Sequence, residues 1–121
     1  MYKEKENPLR DKSYTFALEI VKICRKLQKE DNEYTLSKQL LRSGTSIGAN
    51  VEEAIGGQSE KDFFHKITIS YKEARESHFW LRLLRDSEWL EAEKANELID
   101  KVEELLRIIS SIQRTIKNKR L

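Results

Sequence analysis

Apolar residues recur along most of this chain at steps of three and four, the spacing of one face of an α-helix. Only one Pro and four Gly occur in 121 residues, and so few turn formers favour long helices over strands. We therefore predict four helices, over about 8–30, 36–55, 60–85 and 91–117. At this length they form one domain, 1–121, with a single core.

Residues that cap helices give the predicted starting points. Asn7 followed by Pro8 suits the start of the first helix, since Asn accepts from free amides and Pro fits the first helical position. Thr35 is expected to cap the second helix. Ser59 stands three residues before Asp62, and this capping-box spacing opens the third helix.

Two pairs of glycines lie in or just after the second helix. Gly44 and Gly48 fall on or beside its apolar face, where each costs about 1 kcal/mol relative to Ala. We interpret this placement as a close approach of a neighbouring backbone, the alternative being a weak, flexible helix. Gly56 and Gly57 end the helix, and we expect a left-handed backbone there.

The predicted core is made of the four apolar stripes, of which the fourth has the most regular repeat. Heptad-like spacing favours helices that cross at about 20°. Because the links are short, the simplest fold is an all-α, antiparallel up-down-up-down four-helix bundle. Trp89, in the last link, is expected to cover one end of the core. The predicted core residues are Leu9, Ser13, Phe16, Ala17, Ile20, Ile23, Cys24, Leu27, Leu40, Gly44, Ile47, Val51, Ala54, Phe63, Phe64, Ile67, Tyr71, Ala74, His78, Leu81, Ala95, Leu98, Val102, Leu105, Ile109, Ile112 and Ile116.

Further apolar residues lie outside these stripes, on the far sides of the first and third helices. They are Tyr14, Leu18, Val21, Ile69, Phe79, Trp80 and Leu83. A helix that is apolar on two sides is buried on two sides, and monomers rarely expose large apolar patches. We therefore predict self-association through these faces, with Trp80 as the main anchor. The alternative is a set of scattered surface hydrophobes.

A polar stripe runs along the flank of the second helix. Arg42, Ser46, Asn50 and Glu53 fall within about 80° of one another at 100° per residue. They are interpreted as a hydrogen-bonded seam at a subunit boundary, or alternatively as a solvated face.

The near balance of basic and acidic side chains excludes a strong overall electrostatic field. The chain has 23 basic and 21 acidic side chains, a formal net charge of +2, unlike dedicated nucleic-acid-binding proteins. A local basic patch is nevertheless predicted at the end of the fourth helix, formed by Arg107, Arg114, Lys117, Lys119 and Arg120. In an oligomer this patch would be multiplied, and phosphate contacts would add up. The alternative is a solvated tail.

Residues capable of catalysis do not form a recognisable set. His65 and His78 lie roughly 20 Å apart along one helix and cannot cooperate within one chain. His78 is expected to be a core histidine, and Glu73 and Glu76 are expected to pair on the surface with their neighbours Lys72 and Arg75. No Gly-rich phosphate loop or cysteine cluster occurs in the sequence. We predict no enzyme activity, catalytic residue, cofactor, metal site or small-molecule substrate.

The single cysteine and the N-terminal sequence favour a cytoplasmic protein. Cys24 lies on the apolar stripe, so we expect a buried thiol, and one cysteine excludes an intramolecular disulfide. The first residues are charged throughout, unlike a secretory signal. No uncharged stretch is long enough to cross a bilayer, so no membrane association is expected.

Three segments carry a family resemblance: 42–54 (RSGTSIGANVEEA), 59–63 (SEKDF) and 72–76 (KEARE). The chain resembles the four-helix bundle protein family over about residues 9–116. Its members are also called ribosomal-RNA intervening-sequence proteins, because some are encoded inside insertions in bacterial large-subunit rRNA genes. The family's Ser-Ile-x-x-Asn motif corresponds to Ser46, Ile47 and Asn50, and its following acid to Glu53.

The resemblance implies a bacterial antiparallel four-helix bundle that can assemble as a homopentameric ring. The family is also similar to the accessory protein of diversity-generating retroelements, a basic pentamer that partners a reverse transcriptase and nucleic acid. Our first hypothesis is thus a non-catalytic, self-assembling scaffold or adaptor, pentameric by resemblance. The second is an accessory protein that binds RNA or DNA through the basic ends of the fourth helix.

Overall fold

The computed structural model describes residues 6–119, and this part of the chain folds into four helices. They are α1 (Pro8–Glu30), α2 (Thr35–Ile55), α3 (Glu60–Asp86) and α4 (Ala92–Lys119). The all-α prediction is confirmed, and each helix begins and ends close to its predicted limits. The regular apolar spacing was therefore a sufficient guide to where the chain is helical.

Two of the predicted helix starts are formed as expected. The Asn7 side chain accepts a hydrogen bond from the Arg10 backbone amide at 3.0 Å, and Pro8 is the first residue of α1. The Ser59 hydroxyl accepts from the Asp62 amide at 3.1 Å and so caps α3.

The predicted cap of α2 is wrong. Thr35 is the first helical residue, and the residue before it makes no side-chain cap. Instead, the carboxylate of Glu33 accepts from the amides of Leu36 at 3.0 Å and Ser37 at 2.7 Å. Glu33 is buried, so this carboxylate is held against the helix terminus and takes the place of the predicted threonine.

The end of α2 also differs from expectation. In the described part of the chain no glycine has a positive φ, and Gly56 has φ of −80°. The left-handed residues are Asn32, with φ of 55°, and Glu88, with φ of 66°. Gly57 is nevertheless confined, because a Cβ added there would lie 3.1 Å from the carbonyl oxygen of Ala54. Close backbone approach, rather than handedness, accounts for glycine at this position.

Contacts between helices establish the antiparallel arrangement. Lys12, near the start of α1, reaches Glu104 in α4, whereas Glu19, further along α1, reaches Lys94 near the start of α4. Each helix packs against its sequence neighbours, and α1 also packs against α4. The four helices therefore enclose one core, and α1 and α3 occupy opposite corners of the bundle.

The core follows the predicted stripes closely and is completed by Leu84, Leu90 and Ile99. Trp89 was predicted to cover one end of the core, and this is wrong: Trp89 is exposed, and the adjacent Leu90 is buried there instead. The reason is the left-handed turn at Glu88, after which the Leu90 amide donates back to the carbonyl of Leu84 at 3.1 Å.

Small residues let α2 approach both of its neighbours closely. A Cβ on Gly44 would lie 2.9 Å from the Ile20 side chain of α1, so the predicted close approach is present. On the other side, the hydroxyl of Ser77 in α3 donates to that of Ser43 in α2 at 2.9 Å. Both hydroxyls are buried and hydrogen-bonded, so small residues accompany the close contacts of α2 with α1 and with α3.

Candidate interaction surfaces

The outer face of α3 presents an apolar projection formed by Phe79 and Leu83, which we call the α3 knob. These side chains are 46% and 37% exposed, and they stand four residues apart on one face of the helix. The Phe79 ring meets the edge of Trp80 at a centroid distance of 5.0 Å, and the guanidinium of Arg82 lies 5.8 Å from its centroid. Neighbouring side chains therefore hold the Phe79 ring of the knob in place on the outer face of this helix.

Trp80 is less exposed than predicted for the main anchor. It packs against the core while its indole N–H donates to the Glu76 carboxylate at 2.9 Å. Ile69 is likewise half-buried. Phe79 is thus the more accessible aromatic residue of this face, and the contact role of all these residues stays a prediction.

The outer face of α1 carries the second predicted patch. Tyr14 is 65% exposed and Leu18 51% exposed, while Val21 is half-buried. Because α1 lies diagonally opposite α3, this patch and the α3 knob are on opposite sides of the molecule.

A groove of about 900 Å³ opens beside Leu18, between the second half of α1 and the start of α4. Its floor is apolar and buried, formed by Ile23, Leu27 and Leu90, and its rim includes the exposed Leu18 and Trp89. We call these five residues the α1–α4 groove. Sequence analysis found Leu18 but missed the concave surface, because the groove depends on how far apart two helices lie.

Six charged side chains line the same groove, and two of them, Glu19 of α1 and Lys94 of α4, contact each other at 3.8 Å. Lys22 and Lys26 lie along its α1 wall, and Asp31 and Glu91 lie where the groove meets the chain links. Within residues 6–119 none of these four side chains forms an ion pair with another. Their charges are consequently available to a partner.

Arg42 joins α2 to α3. Its guanidinium contacts the carboxylate of Glu73 at 3.0 Å and also that of Glu76, which in turn accepts from Trp80. The hydrogen bond from Trp80, followed by the bond from Arg42, lowers the pKa of Glu76 below its ordinary value. The bond to Glu76 raises the pKa of Arg42. The predicted pairing of these glutamates with Lys72 and Arg75 is wrong, because both carboxylates turn towards α2.

The rest of the predicted seam makes bonds within the chain as well. The Ser46 hydroxyl donates to the Arg42 carbonyl at 2.6 Å, and the Asn50 amide donates to the Ser46 carbonyl at 2.8 Å. Glu53 pairs with Lys66 of α3 at 2.8 Å. The stripe therefore follows the α2–α3 boundary, and its role between subunits stays a prediction.

The predicted basic patch is spread along the second half of α4. Arg107, Arg114, Lys117 and Lys119 are all exposed, and Arg120 lies outside the described residues. The Lys117 ammonium lies 5.9 Å from the centroid of the Phe64 ring, and Lys119 contacts the Glu60 carboxylate at 3.7 Å. One acid of α3 thus partly offsets the cations at this end of the bundle.

The candidate reactive side chains lie in three separate settings. His65 is exposed. His78 was predicted to be a core histidine, but it is only partly buried, and its Nε2 lies 3.0 Å from the carboxylate of Glu103 in α4. Burial, with the added charge of Glu33, raises the pKa of the Cys24 thiol to about 12. Within residues 6–119 no three metal-ligating side chains cluster. No helix among those residues combines the length and apolar character needed to cross a membrane.

These helices define an all-α four-helix bundle with surfaces suited to contact with other molecules. The family model described as 23S rRNA-intervening sequence protein matches residues 5–111, and the chain belongs to this family. The resemblance seen in the sequence is thereby confirmed.

A solved structure gives a close match to the fold. It is a Bacteroides thetaiotaomicron protein of the S23 ribosomal protein family, itself of unknown function. The two chains are 42% identical, with a TM-score of 0.85, over 87% of this chain and 97% of that chain. No curated protein matches this sequence.

Proposed function

We propose that this chain is a non-catalytic building block that assembles with copies of itself into a scaffold or adaptor. The observation that carries the proposal is the pair of exposed apolar surfaces on α1 and α3. Large exposed apolar residues cost free energy in water, and in soluble chains they commonly mark contact sites. Here Tyr14, Leu18, Phe79 and Leu83 are exposed in the single chain.

The diagonal placement of the two surfaces favours a ring or a chain of copies over a simple symmetric pair. When one surface contacts a different surface on the next copy, the contact repeats, and it closes if the rotation allows. The family resemblance favours five copies.

The proposal of a non-catalytic role is supported by the state of the reactive groups. The Cys24 thiol is buried and protonated at neutral pH, since its pKa is raised to about 12. His78 and the Arg42 guanidinium are already paired with carboxylates that hold neighbouring helices together. The buried free thiol also accords with a reducing, cytoplasmic setting.

The test is the mass of the purified chain in solution. Light scattering at micromolar concentration should give a multiple of the 14.3 kDa chain mass. Leu83→Ser should shift the mass towards that of a single chain. Ile55→Ser is the matched control, since Ile55 is 42% exposed but lies away from both surfaces, and this variant should keep the wild-type mass. A wild-type chain that scatters as a monomer would overturn the proposal.

The basic residues of α4 favour nucleic-acid binding as a second function. Arg107, Arg114 and Lys117 are exposed, and an assembly would repeat them in every copy. Titration with single-stranded RNA and with duplex DNA at two salt concentrations tests this function. Binding through phosphates should weaken steeply as salt rises, and Arg114→Ala should lower the salt dependence as well as the affinity. Absence of binding at low salt would exclude it.

A further inference from the structure

We propose that the α3 knob of one copy docks into the α1–α4 groove of the next copy, so that two different surfaces meet at every contact. This inference rests on the proposed self-assembly and identifies the parts that join. It assigns a role to the exposed Trp89 and to the acids Asp31 and Glu91 at the end of the groove.

Shape and polarity fit this pairing. The knob is a convex pair of apolar side chains, whereas the groove is concave, with a buried apolar floor and about 900 Å³ of open volume. Exposed Leu18 and Trp89 at the rim would lie against the sides of Phe79 and Leu83. Docking would remove all four of these apolar side chains from water, which supplies the main favourable free energy.

The knob cannot reach the groove of its own chain. The groove lies between α1 and α4, and the knob lies on the outer face of α3, at the corner opposite α1. A knob that fills this groove therefore comes from another copy, and that copy offers its own groove to a third.

Charge distribution sets the direction of docking. The acids Asp31 and Glu91 lie at one end of the groove. Lys22, Lys26 and Lys94 lie further along it, together with Glu19, which is already paired with Lys94 and Lys101. An occupant helix with cations before its apolar residues would bring those cations to the acidic end of the groove when it runs antiparallel to α1.

The third helix has that order of charges. Lys72 and Arg75 precede the knob, and within residues 6–119 neither forms an ion pair. Arg82 lies beside the Phe79 ring of the knob, and Asp86, which follows the knob, contacts Arg85 at 2.8 Å. Antiparallel docking that sets Leu83 beside Leu18 would bring Lys72 and Arg75 towards Asp31 and Glu91. Rim charges of this kind contribute orientation more than affinity.

Chemical cross-linking with introduced cysteines tests the proposed contact. A chain carrying both Leu83→Cys and Leu18→Cys, treated with a short bis-maleimide and run on a denaturing gel, should give a ladder of multimers. Chains with either substitution alone should stay monomeric on the gel, because each contact joins unlike positions. The native Cys24 should react little, since the thiolate is the reactive form and burial raises the pKa of this thiol to about 12.

A matched control keeps the test specific. The pair Leu83→Cys and Ile55→Cys places the second thiol at a similarly exposed site away from the groove and should give no ladder. Dimers from Leu83→Cys alone would overturn the inference in favour of a symmetric α3–α3 contact. A Leu83→Cys and Leu18→Cys chain that is still a multimer by light scattering but gives no ladder would also overturn it while leaving self-assembly standing. A monomeric wild-type chain would overturn both.

Charge reversal provides an independent readout. Arg75→Glu should weaken assembly by about two- to fivefold, the range expected for an exposed ion pair, and Glu91→Arg in the same chain should restore it. Equal weakening by both single substitutions without restoration in the double variant would argue against the proposed orientation.

Discussion

Arg42 shows how one long side chain can fix the spacing of two helices. Its guanidinium reaches two carboxylates of α3, and one of these also accepts from the Trp80 indole. The group thus links α2, α3 and the base of the α3 knob. An arginine surrounded by water would contribute little to stability. A planar guanidinium that donates to several acceptors holds those acceptors in a fixed geometry.

Replacing this arginine should produce a pH-dependent loss of stability. Glu76 has a lowered pKa in the folded chain, so its contribution is present above its ordinary value of 4.5 and is lost as pH falls through the lower folded value. Arg42→Met should cost about 1 kcal/mol at neutral pH, because the site is partly exposed. Urea unfolding should show this difference shrinking well below pH 4.5. Lys38→Met, an exposed change in the same helix, should show no such trend.

Gly44 and Gly48 should respond differently to the same added methyl group. At Gly44 the new Cβ would lie 2.9 Å from a methyl carbon of buried Ile20, so Gly44→Ala should destabilise the fold by about 1–3 kcal/mol despite better helix propensity. At Gly48 the closest atoms are 3.4 Å away, and Gly48→Ala should be close to neutral. Thermal unfolding measures both. Equal destabilisation would show that intrinsic backbone effects, rather than packing against Ile20, decide these positions.

Each face of α2 has a different task. Gly44 and Gly48 face α1, the buried Ser43 faces α3, and the polar stripe follows the outer edge of the α2–α3 boundary. The side chains of Ser46 and Asn50 bond within the helix itself, so they do not hold α2 in the bundle.

This division predicts opposite results for two leucine substitutions. Gly48→Leu should reduce helicity and melting temperature, because atoms beyond its Cβ would push against the Ser13 backbone of α1. Asn50→Leu should keep the helicity and change the assembly state, if the stripe meets another copy. Circular dichroism and light scattering on the same samples separate these effects. Equal loss of helicity in both variants would contradict the division.

Local spacing was enough to predict the helices, but not their partners. The apolar repeat of α4 and the Asn7 and Ser59 caps depend on residues close in sequence, so they could be read directly. The capping role of Glu33 depends on burial of its carboxylate, and the Arg42 contacts depend on the register of two helices. The spacing of apolar residues in one sequence specifies neither the burial of a particular carboxylate nor the register between two helices.

The assembled molecule is expected to depend on apolar contact more than on charge. With a formal net charge of +2 there is little overall repulsion between copies for salt to screen. The charges at the groove and knob lie at the surface, where each pair contributes at most about 1 kcal/mol and is weakened by salt.

Salt should therefore separate the two proposed functions. Raising sodium chloride from about 0.1 M to 1 M shortens the screening length from about 10 Å to 3 Å, yet it leaves apolar burial in place. We expect light scattering to give the same multimer at both concentrations, with at most a small change in its dissociation constant. Any complex with nucleic acid should dissociate over the same range, because it depends on phosphate contacts. Dissociation of the protein multimer into monomers at high salt would mean that ion pairs, and not Phe79, Leu83 and the groove, supply most of the association free energy.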